Sequence, residues 1–373
     1  MDGMRPIGLY VHVPFCLSKC PYCDFYSLAK PTDEQLDAYA ARLCAALDKW
    51  AVRLPDATAD TLYFGGGTPA LLGGERLAAV IERTRAHFGL ADAEITLEAN
   101  PADDLHDTFA AFAAAGGNRL SLGMQSACAD ELAVLGRRHT PADVERTVAD
   151  AHSVGIENIS LDVMLGISGQ TETSARHSAR VAATLGASHV SAYLLKVEPN
   201  TPYGRHTPPL PDEDAAADLY LAAMDELDRL GYRQYEISNV ALVGRESRHN
   251  LKYWRSEPYL GIGPAASSCL DGRRFAYPRD LVGFMNGAEP LDEPVGSIAV
   301  GSPTEYALLR LRLAEGIAAA DYAARFGELL PSAWRERVAE LPPSLVTQDT
   351  AGIRLTREGF LLSNTLMTHI LVE

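Results

Sequence analysis

Runs of β-forming residues alternate with helix-like runs along most of this chain, and this alternation is the feature that most limits its possible folds. Six β-rich runs are expected at residues 7–13, 61–64, 94–98, 119–123, 156–165 and 189–195. Helices are expected between and after them, at residues 33–53, 74–88, 104–115, 141–154, 173–185 and 212–230. Strands separated by helices of this length pair in parallel, because the chain must cross a sheet face to reach the next strand.

Repetition of the βα unit six times favours a partial (β/α)6 TIM-like barrel over an open doubly wound sheet. Motif residues follow the ends of the expected strands, which is where the functional residues of such barrels lie. The alternation fades after about residue 240. We therefore expect an α/β protein with a partial barrel over residues 1–240 and a small, mostly helical C-terminal domain over residues 241–373.

Three cysteines, Cys16, Cys20 and Cys23, lie close together after the first expected strand, in a C-x3-C-x2-C pattern. Three thiolates can bind three irons of a [4Fe–4S] cube and leave the fourth iron open for chemistry. A structural zinc site is the alternative, but zinc usually takes four ligands as two spaced pairs, and no second pair is present nearby. The other cysteines are scattered, as expected for ordinary buried thiols rather than for a disulfide framework.

A glycine run, Gly65-Gly66-Gly67-Thr68-Pro69, follows the second expected strand. Consecutive glycines let a ligand approach the backbone closely, so this loop could hold the amino and carboxylate groups of an amino-acid ligand. A flexible turn is an equally good interpretation of the run by itself. Glu98 ends the third expected strand, within Leu97-Glu98-Ala99-Asn100-Pro101.

Together, the cysteine triad, the glycine run and Glu98 resemble the radical S-adenosylmethionine superfamily. The resemblance implies a radical SAM type of partial barrel, with a [4Fe–4S] cluster whose open iron is chelated by S-adenosylmethionine. It also implies that one electron from the reduced cluster cleaves the sulfonium and produces a 5′-deoxyadenosyl radical. The positions that match the superfamily's cofactor contacts are Tyr10, Gly66, Gly67, Thr68, Glu98, Gln125, Arg137 and Asp162.

The matched residue types suit the parts of S-adenosylmethionine. Tyr10 matches a tyrosine that packs near the cluster and contacts the cofactor. A carboxylate such as Asp162 suits ribose hydroxyls or the amino group, and Arg137 suits a carboxylate as a bidentate donor. Each of these residues, taken singly, is also typical of a surface or capping position.

Further motifs resemble the branch that contains the oxygen-independent coproporphyrinogen III dehydrogenase HemN and the haem chaperone HemW, and this similarity covers nearly the whole chain. HemN has a fourth cysteine two positions after the third ligand, where this chain has Phe25. HemN also carries an N-terminal extension, whereas the first cysteine here is Cys16. Both departures favour a haem chaperone. The alternative is the dehydrogenase, which decarboxylates the propionates of coproporphyrinogen III in porphyrin biosynthesis.

The run Arg248-His249-Asn250-Leu251-Lys252-Tyr253-Trp254 resembles the H-N-x-x-Y-W signature of HemW, which is associated with haem binding. His249 offers an imidazole as an axial ligand, and Tyr253 and Trp254 offer flat apolar surface to a macrocycle. The alternative is a packed aromatic corner that contains a hydrogen-bonded histidine.

Composition limits the partners of the chain. Its formal net charge of −16 repels phosphate backbones, so nucleic acid is not expected as a partner. No apolar run reaches the roughly 18–20 residues of a membrane span, and the first residues lack the pattern of a signal peptide, so we expect a cytoplasmic protein. The resemblance implies haem, haem-accepting apoproteins such as respiratory haem enzymes, an electron donor and transient contact with membrane proteins.

Overall fold

The computed structural model describes residues 4–101, 104–293 and 298–372. Its strands are β1 Arg5–Val13, β2 Phe15–Cys16, β3 Leu28–Ala29, β4 Ala57–Gly66, β5 Glu94–Ala99, β6 Arg119–Gln125, β7 Asn158–Leu165, β8 His189–Leu194, β9 Arg233–Gln234, β10 Asn239–Ala241, β11 Tyr259–Ile262, β12 Ser267–Leu270, β13 Arg273–Ala276, β14 Leu291–Asp292, β15 Ile317–Ala318, β16 Val346–Gln348 and β17 Gly352–Leu355.

The six helices expected above begin and end close to their expected positions, and the structure adds further, mostly shorter helices. Together, the helices are α1 Asp33–Arg53, α2 Gly74–Phe88, α3 His106–Ala114, α4 Ala129–Val134, α5 Pro141–Ser153, α6 Glu172–Thr184, α7 Pro202–Arg205, α8 Glu213–Arg229, α9 Arg248–Trp254, α10 Leu281–Met285, α11 Pro303–Arg310, α12 Ala319–Phe326, α13 Ser332–Ala339, α14 Arg357–Leu361 and α15 Ser363–Leu371.

Six parallel strands form the centre of the main sheet, in the order β1-β4-β5-β6-β7-β8. Each strand lies beside the next one expected from the sequence, so the predicted α/β fold is confirmed. Strand β11 adds in parallel to the free side of β1, and β10 adds antiparallel to β8. Within the described residues the sheet ends at β14 and β9, which do not pair with each other.

Helix α1 shows how the sequence specifies the helical layer. The Thr32 hydroxyl accepts a hydrogen bond from the Gln35 N–H, and the Gln35 side-chain oxygen accepts one from the Thr32 N–H, so both halves of a capping box are present. The apolar positions repeat with helical spacing and bury one face of α1 in the main hydrophobic core. Leu43, at the centre of that face, has no exposed surface.

A second hydrophobic cluster forms around helices α11 to α15 and the three-stranded sheet β15-β17-β16. Its largest members are Tyr306, Tyr322 and Trp334. Residue 240 lies within β10, and the main sheet continues beyond it to Asp292. The division of the chain at residue 240 therefore stays a prediction, and the second cluster begins later in the chain.

Truncating Leu43 to alanine should lower the free energy of unfolding by about 2–5 kcal/mol, because it leaves a cavity in the main core. Val52→Ala in the same helix is the matched control, since Val52 is 83% exposed and its truncation should change stability by no more than about 0.5 kcal/mol. Urea unfolding followed by circular dichroism measures both. Equal losses in the two variants would contradict the burial assigned to this helix.

Candidate cofactor site at the carboxyl ends of the strands

A cavity of about 450 Å³ lies at the carboxyl ends of the parallel strands. This is the location expected for the functional site of a βα barrel. The predicted residues that line it are Cys16, Cys20, Cys23, Gly66, Gly67, Thr68, Glu98, Gln125, Arg137 and Asp162. Residues from several different strands and loops are thus brought to one place, although they are far apart in the chain.

The three cysteines are held in the cavity wall by a short, well-connected loop. Cys16 ends β2, and the Thr68 hydroxyl donates a hydrogen bond to its sulfur at 3.7 Å. The Cys23 backbone N–H donates to the Cys20 carbonyl at 3.2 Å, which forms a tight turn. Burial raises the pKa of the Cys23 thiol, so without a bound metal this side chain is mostly protonated at neutral pH. All three thiols are half-buried and face the same space.

Three cysteine thiols are the donor set of a [4Fe–4S] cluster with one open iron rather than of a structural zinc site. No group of three His, Cys, Asp or Glu side chains in residues 4–101, 104–293 and 298–372 is close enough to hold one metal ion. A single zinc ion needs all its ligands within about 2.3 Å of one centre. Each thiolate of a [4Fe–4S] site binds a different iron, so its ligands can stand further apart. The donor set therefore suits three irons of a cube.

The glycine run is fixed against β1. The N–H groups of Gly67 and Thr68 donate to the carbonyls of Val13 and Phe15, at 2.8 and 2.7 Å. Gly66 has a φ of 114°, and a Cβ on it would lie 2.6 Å from the His12 ring. Only glycine satisfies both conditions. The loop therefore presents bare backbone to the cavity at a fixed position, which is what close approach by a ligand requires.

Two carboxyl groups, Glu98 and Asp162, make the cavity attractive to a cation. Burial raises the pKa of Asp162 to about 7, and the neighbouring charge of Glu98 adds to this effect. Burial also raises the pKa of Glu98, although hydrogen bonds from Tyr63 and Gly66 oppose the change. A positively charged ligand would stabilise both ionised carboxylates. S-Adenosylmethionine carries a permanent positive charge on its sulfonium group, so these residues fit it.

Arg137 connects the cysteine loop to the end of β6. It donates hydrogen bonds to the Cys20 sulfur at 3.4 Å, the Tyr22 hydroxyl at 3.3 Å and the Gly123 carbonyl at 2.6 Å. These contacts occupy part of the guanidinium that the sequence assigns to a cofactor carboxylate. Gln125, at the end of the same strand, has a φ of 65° in an irregular stretch of pairing. Such strained backbone is common at ligand sites.

Two of the predicted residues, Tyr10 and His249, do not line the cavity. The Tyr10 hydroxyl shares a hydrogen bond with the His12 ring at 3.0 Å, and its own ring packs behind Gly65. His249 is 1% exposed, and both of its ring nitrogens are hydrogen-bonded within the protein. Cofactor contact by Tyr10 and haem ligation by His249 stay predictions. In this conformation neither nitrogen of His249 is open to a haem iron.

Hydroxyl and amide residues that were not predicted complete the cavity wall, and they are Ser18, Tyr22, Tyr63, Asn100, Ser121, Ser191, Tyr193, Ser238 and Asn239. Ser121 pairs with Glu98, and Ser191 pairs with Asp162, in the parallel register. A polar residue at an inward position of an otherwise apolar strand is the signal that could have found the serines. For Ser238 and Asn239, outside the six parallel strands, the sequence carries no such signal.

Comparison with known proteins places this chain in a family. The model of the radical SAM superfamily matches residues 10–182. The haem chaperone HemW of Escherichia coli strain K12 is 36% identical over 380 residues that span 100% of both chains. The chain belongs to the HemW family. A second member, haem chaperone HemW of Mycobacterium tuberculosis strain H37Rv, is 37% identical over 98% of this chain and 95% of its own.

The fold of this HemW-family chain is that of a solved radical SAM enzyme. The structure of coproporphyrinogen III oxidase (HemN) from Escherichia coli superposes with a TM-score of 0.83, over 99% of this chain and 91% of that one. The two sequences are 21% identical, so this likeness shows the fold alone. The predicted radical SAM type of the α/β fold is thereby confirmed.

No helix in the described part of the chain combines the length and the apolarity that a bilayer-spanning helix needs.

Replacing Cys20 by alanine should abolish the oxygen-sensitive iron–sulfur absorbance, because two remaining thiolates hold a cube poorly. Cys44→Ala is the matched control, since Cys44 is another half-buried thiol but lies in α1, outside the cavity wall. Iron and sulfide per chain after anaerobic reconstitution measure both variants. A full complement of iron in Cys20→Ala would contradict the assignment.

Affinity for S-adenosylmethionine should increase as the pH rises through about 7. The Asp162 carboxyl, whose pKa is raised to about 7, is neutral below that pH and ionised above it, and the ionised form attracts the cationic ligand. Release of one proton on binding limits the change to about tenfold per pH unit below the pKa. Equilibrium dialysis between about pH 6 and pH 8 measures it. Asp162→Asn should bind more weakly and without this slope, and an unchanged slope would contradict the assignment.

Proposed function

We propose that this chain is a haem chaperone that binds a [4Fe–4S] cluster, S-adenosylmethionine and haem and delivers the haem to acceptor apoproteins. The observation that carries the proposal is the 36% identity, over the full length of both chains, to a protein named haem chaperone HemW. The cavity supports it, because the three thiols and two half-buried carboxyl groups that line it suit a cluster and a cationic cofactor.

We assign a separate role to each group of residues that lines the cavity. Cys16, Cys20 and Cys23 would hold three irons, and Thr68 and Arg137 keep two of these sulfurs in place through hydrogen bonds. When bound, the cluster and its cofactor supply one-electron chemistry. The chain's own contribution is to bind and orient the cofactor between the glycine loop and the carboxyl groups, partly out of bulk water.

Phe25 distinguishes this cavity from that of a dehydrogenase of the HemN type, which resembles it but has a cysteine at this position. The side chain of Phe25 lines the cavity and is 65% exposed, and the Lys19 ammonium donates to its backbone carbonyl at 3.0 Å. An exposed aromatic ring beside a cation suits a flat apolar macrocycle with carboxylate substituents. We propose that Phe25 contributes contact area to haem at the mouth of the cavity.

The partners that we propose follow from this function. They are haem, haem-accepting apoproteins such as respiratory haem enzymes, and a donor of electrons to the cluster, with transient contact to membrane-bound acceptors. Nucleic acid does not fit, because the formal net charge is −16. We propose a cytoplasmic location, where such a chaperone would meet newly made apoproteins.

Haemin titration of the anaerobically reconstituted protein should shift the Soret band and saturate. Phe25→Ala should weaken this binding by about two- to tenfold, the range for one aromatic contact. Val243→Ala is the matched control, since Val243 is 86% exposed and lies outside the cavity wall. Absence of a Soret shift in the wild type would overturn the chaperone proposal.

An anaerobic assay with coproporphyrinogen III, reductant and S-adenosylmethionine separates the two activities of this branch. A chaperone should yield no vinyl product, and its loaded form should pass haem to an apoprotein acceptor. Vinyl product at a rate dependent on Cys20 would instead support oxidative decarboxylation of propionates.

A further inference from the structure

Helix α9 carries the His249 signature and covers the end of the barrel opposite the cavity. Glu94, the first residue of β5, accepts hydrogen bonds from the backbone N–H groups of Arg248 at 3.1 Å and His249 at 3.0 Å. Lys252 of the same helix is buried and forms an ion pair with Asp60 at 2.8 Å. The Glu94 carboxylate therefore fixes the first turn of α9 to the start of β5.

The imidazole of His249 is neutral at physiological pH, and hydrogen bonds fix the position of its ring. Its Nδ1 shares a hydrogen bond with the Thr61 hydroxyl at 2.7 Å, and its Nε2 shares one with the Tyr253 hydroxyl at 2.7 Å. Burial lowers the pKa of His249 to about 3, and the nearby charges of Lys252 and Arg119 add to this effect. Ligation of a haem iron would break one of these hydrogen bonds and leave a buried hydroxyl without its partner.

The ring of His249 is one layer away from the cofactor cavity. It stacks on the ring of Tyr63, with centroids 5.1 Å apart and planes 27° apart. The Tyr63 hydroxyl donates to Oε1 of Glu98 at 2.8 Å, and the Gly66 N–H donates to Oε2 at 3.0 Å. A continuous set of contacts therefore joins α9 to the carboxylate and the glycine loop of the cavity.

We propose that His249 is a positioning residue for the S-adenosylmethionine site, acting through the stacked ring of Tyr63 on the carboxylate of Glu98. This inference rests on the S-adenosylmethionine site proposed above. It assigns the H-N-x-x-Y-W signature a role in S-adenosylmethionine binding, although the signature itself lies outside the cavity. The bulky, flat imidazole fixes the tilt of the Tyr63 ring, since Thr61 and Tyr253 fix the imidazole itself. The Tyr63 hydroxyl then donates to one oxygen of Glu98, and this hydrogen bond fixes the orientation of the carboxylate.

The contacts predict different consequences for the two ligands. His249→Ala removes the stacked ring and should weaken S-adenosylmethionine binding by about tenfold, while haemin affinity changes by less than about twofold. Tyr63→Phe keeps the ring but removes the hydroxyl, and it should reproduce most of the loss. The double variant should lose little more than either single one, because both changes interrupt the same series of contacts.

The measurements use the reconstituted full-length protein. Equilibrium dialysis gives S-adenosylmethionine affinity, the Soret band gives haemin affinity, and electron paramagnetic resonance of the reduced cluster reports its change on cofactor addition. This spectral change should weaken in His249→Ala at subsaturating cofactor, although iron content stays at the wild-type value. His177→Ala, which removes an exposed histidine on α6, is the matched control and should behave as wild type in all three.

A variant that preserves the ring tests the mechanism even if the alanine variant folds poorly. His249→Phe keeps an aromatic face against Tyr63 and should retain S-adenosylmethionine affinity within about threefold, despite the loss of both hydrogen bonds. Equal loss of this affinity in His249→Phe and His249→Ala would overturn the stacking argument. Additive losses in the double variant would overturn it too.

Failure of this inference can be distinguished from failure of the chaperone proposal. Loss of haemin binding in His249→Ala, with S-adenosylmethionine affinity unchanged, would overturn the positioning role and support haem ligation by His249. Absence of haemin binding in the wild type, together with the tenfold loss of S-adenosylmethionine affinity in His249→Ala, would overturn the chaperone proposal and support the positioning role.

Discussion

The parallel register between β1 and β4 is the constraint on which the cofactor site depends. Val13 pairs with Gly66, so the cysteine loop and the glycine loop leave the sheet side by side. The backbone of Gly67 and Thr68 then bonds to β1 and its continuation, and the Thr68 hydroxyl reaches the Cys16 sulfur. A shift of one residue would turn the side chains of β4 to the opposite face and separate these groups.

Charge inside the barrel is the second organising feature. Glu98 and Asp162 lie in a cavity whose burial favours their neutral forms, and the guanidinium groups of Arg119 and Arg137 offset this only in part. A bound cationic cofactor would compensate the negative charge of the two carboxylates and so stabilise their ionised forms. The carboxyl groups and the thiols line the same cavity, so the cluster and its ligand are expected to be bound as a unit.

Several features could be predicted because they depend on local pattern. The six parallel strands and the helices between them follow from periodicity and capping, as in Thr32 and α1. The residues of the cysteine motif lie close together in the sequence, as do those of the glycine motif, so the chemistry of each can be predicted from the sequence. Strand β11 was not predicted, since a run of four residues beyond residue 240 has no periodic signal of its own. Its place beside β1 comes from tertiary pairing.

The sequence by itself determined the α/β fold, the three candidate iron ligands and the polar residues at the strand ends, because each depends on residue type and local spacing. Only the tertiary structure decided which of them share a cavity. It placed Ser121 and Ser191 beside the carboxyl groups through strand register, and it placed the Tyr63 hydroxyl within hydrogen-bond distance of Glu98. It also buried His249 at the opposite end of the barrel, since Thr61, Tyr63 and Tyr253 meet its ring from elements distant in the chain. Hydrogen-bond partners of this kind are set by packing, which no single motif encodes.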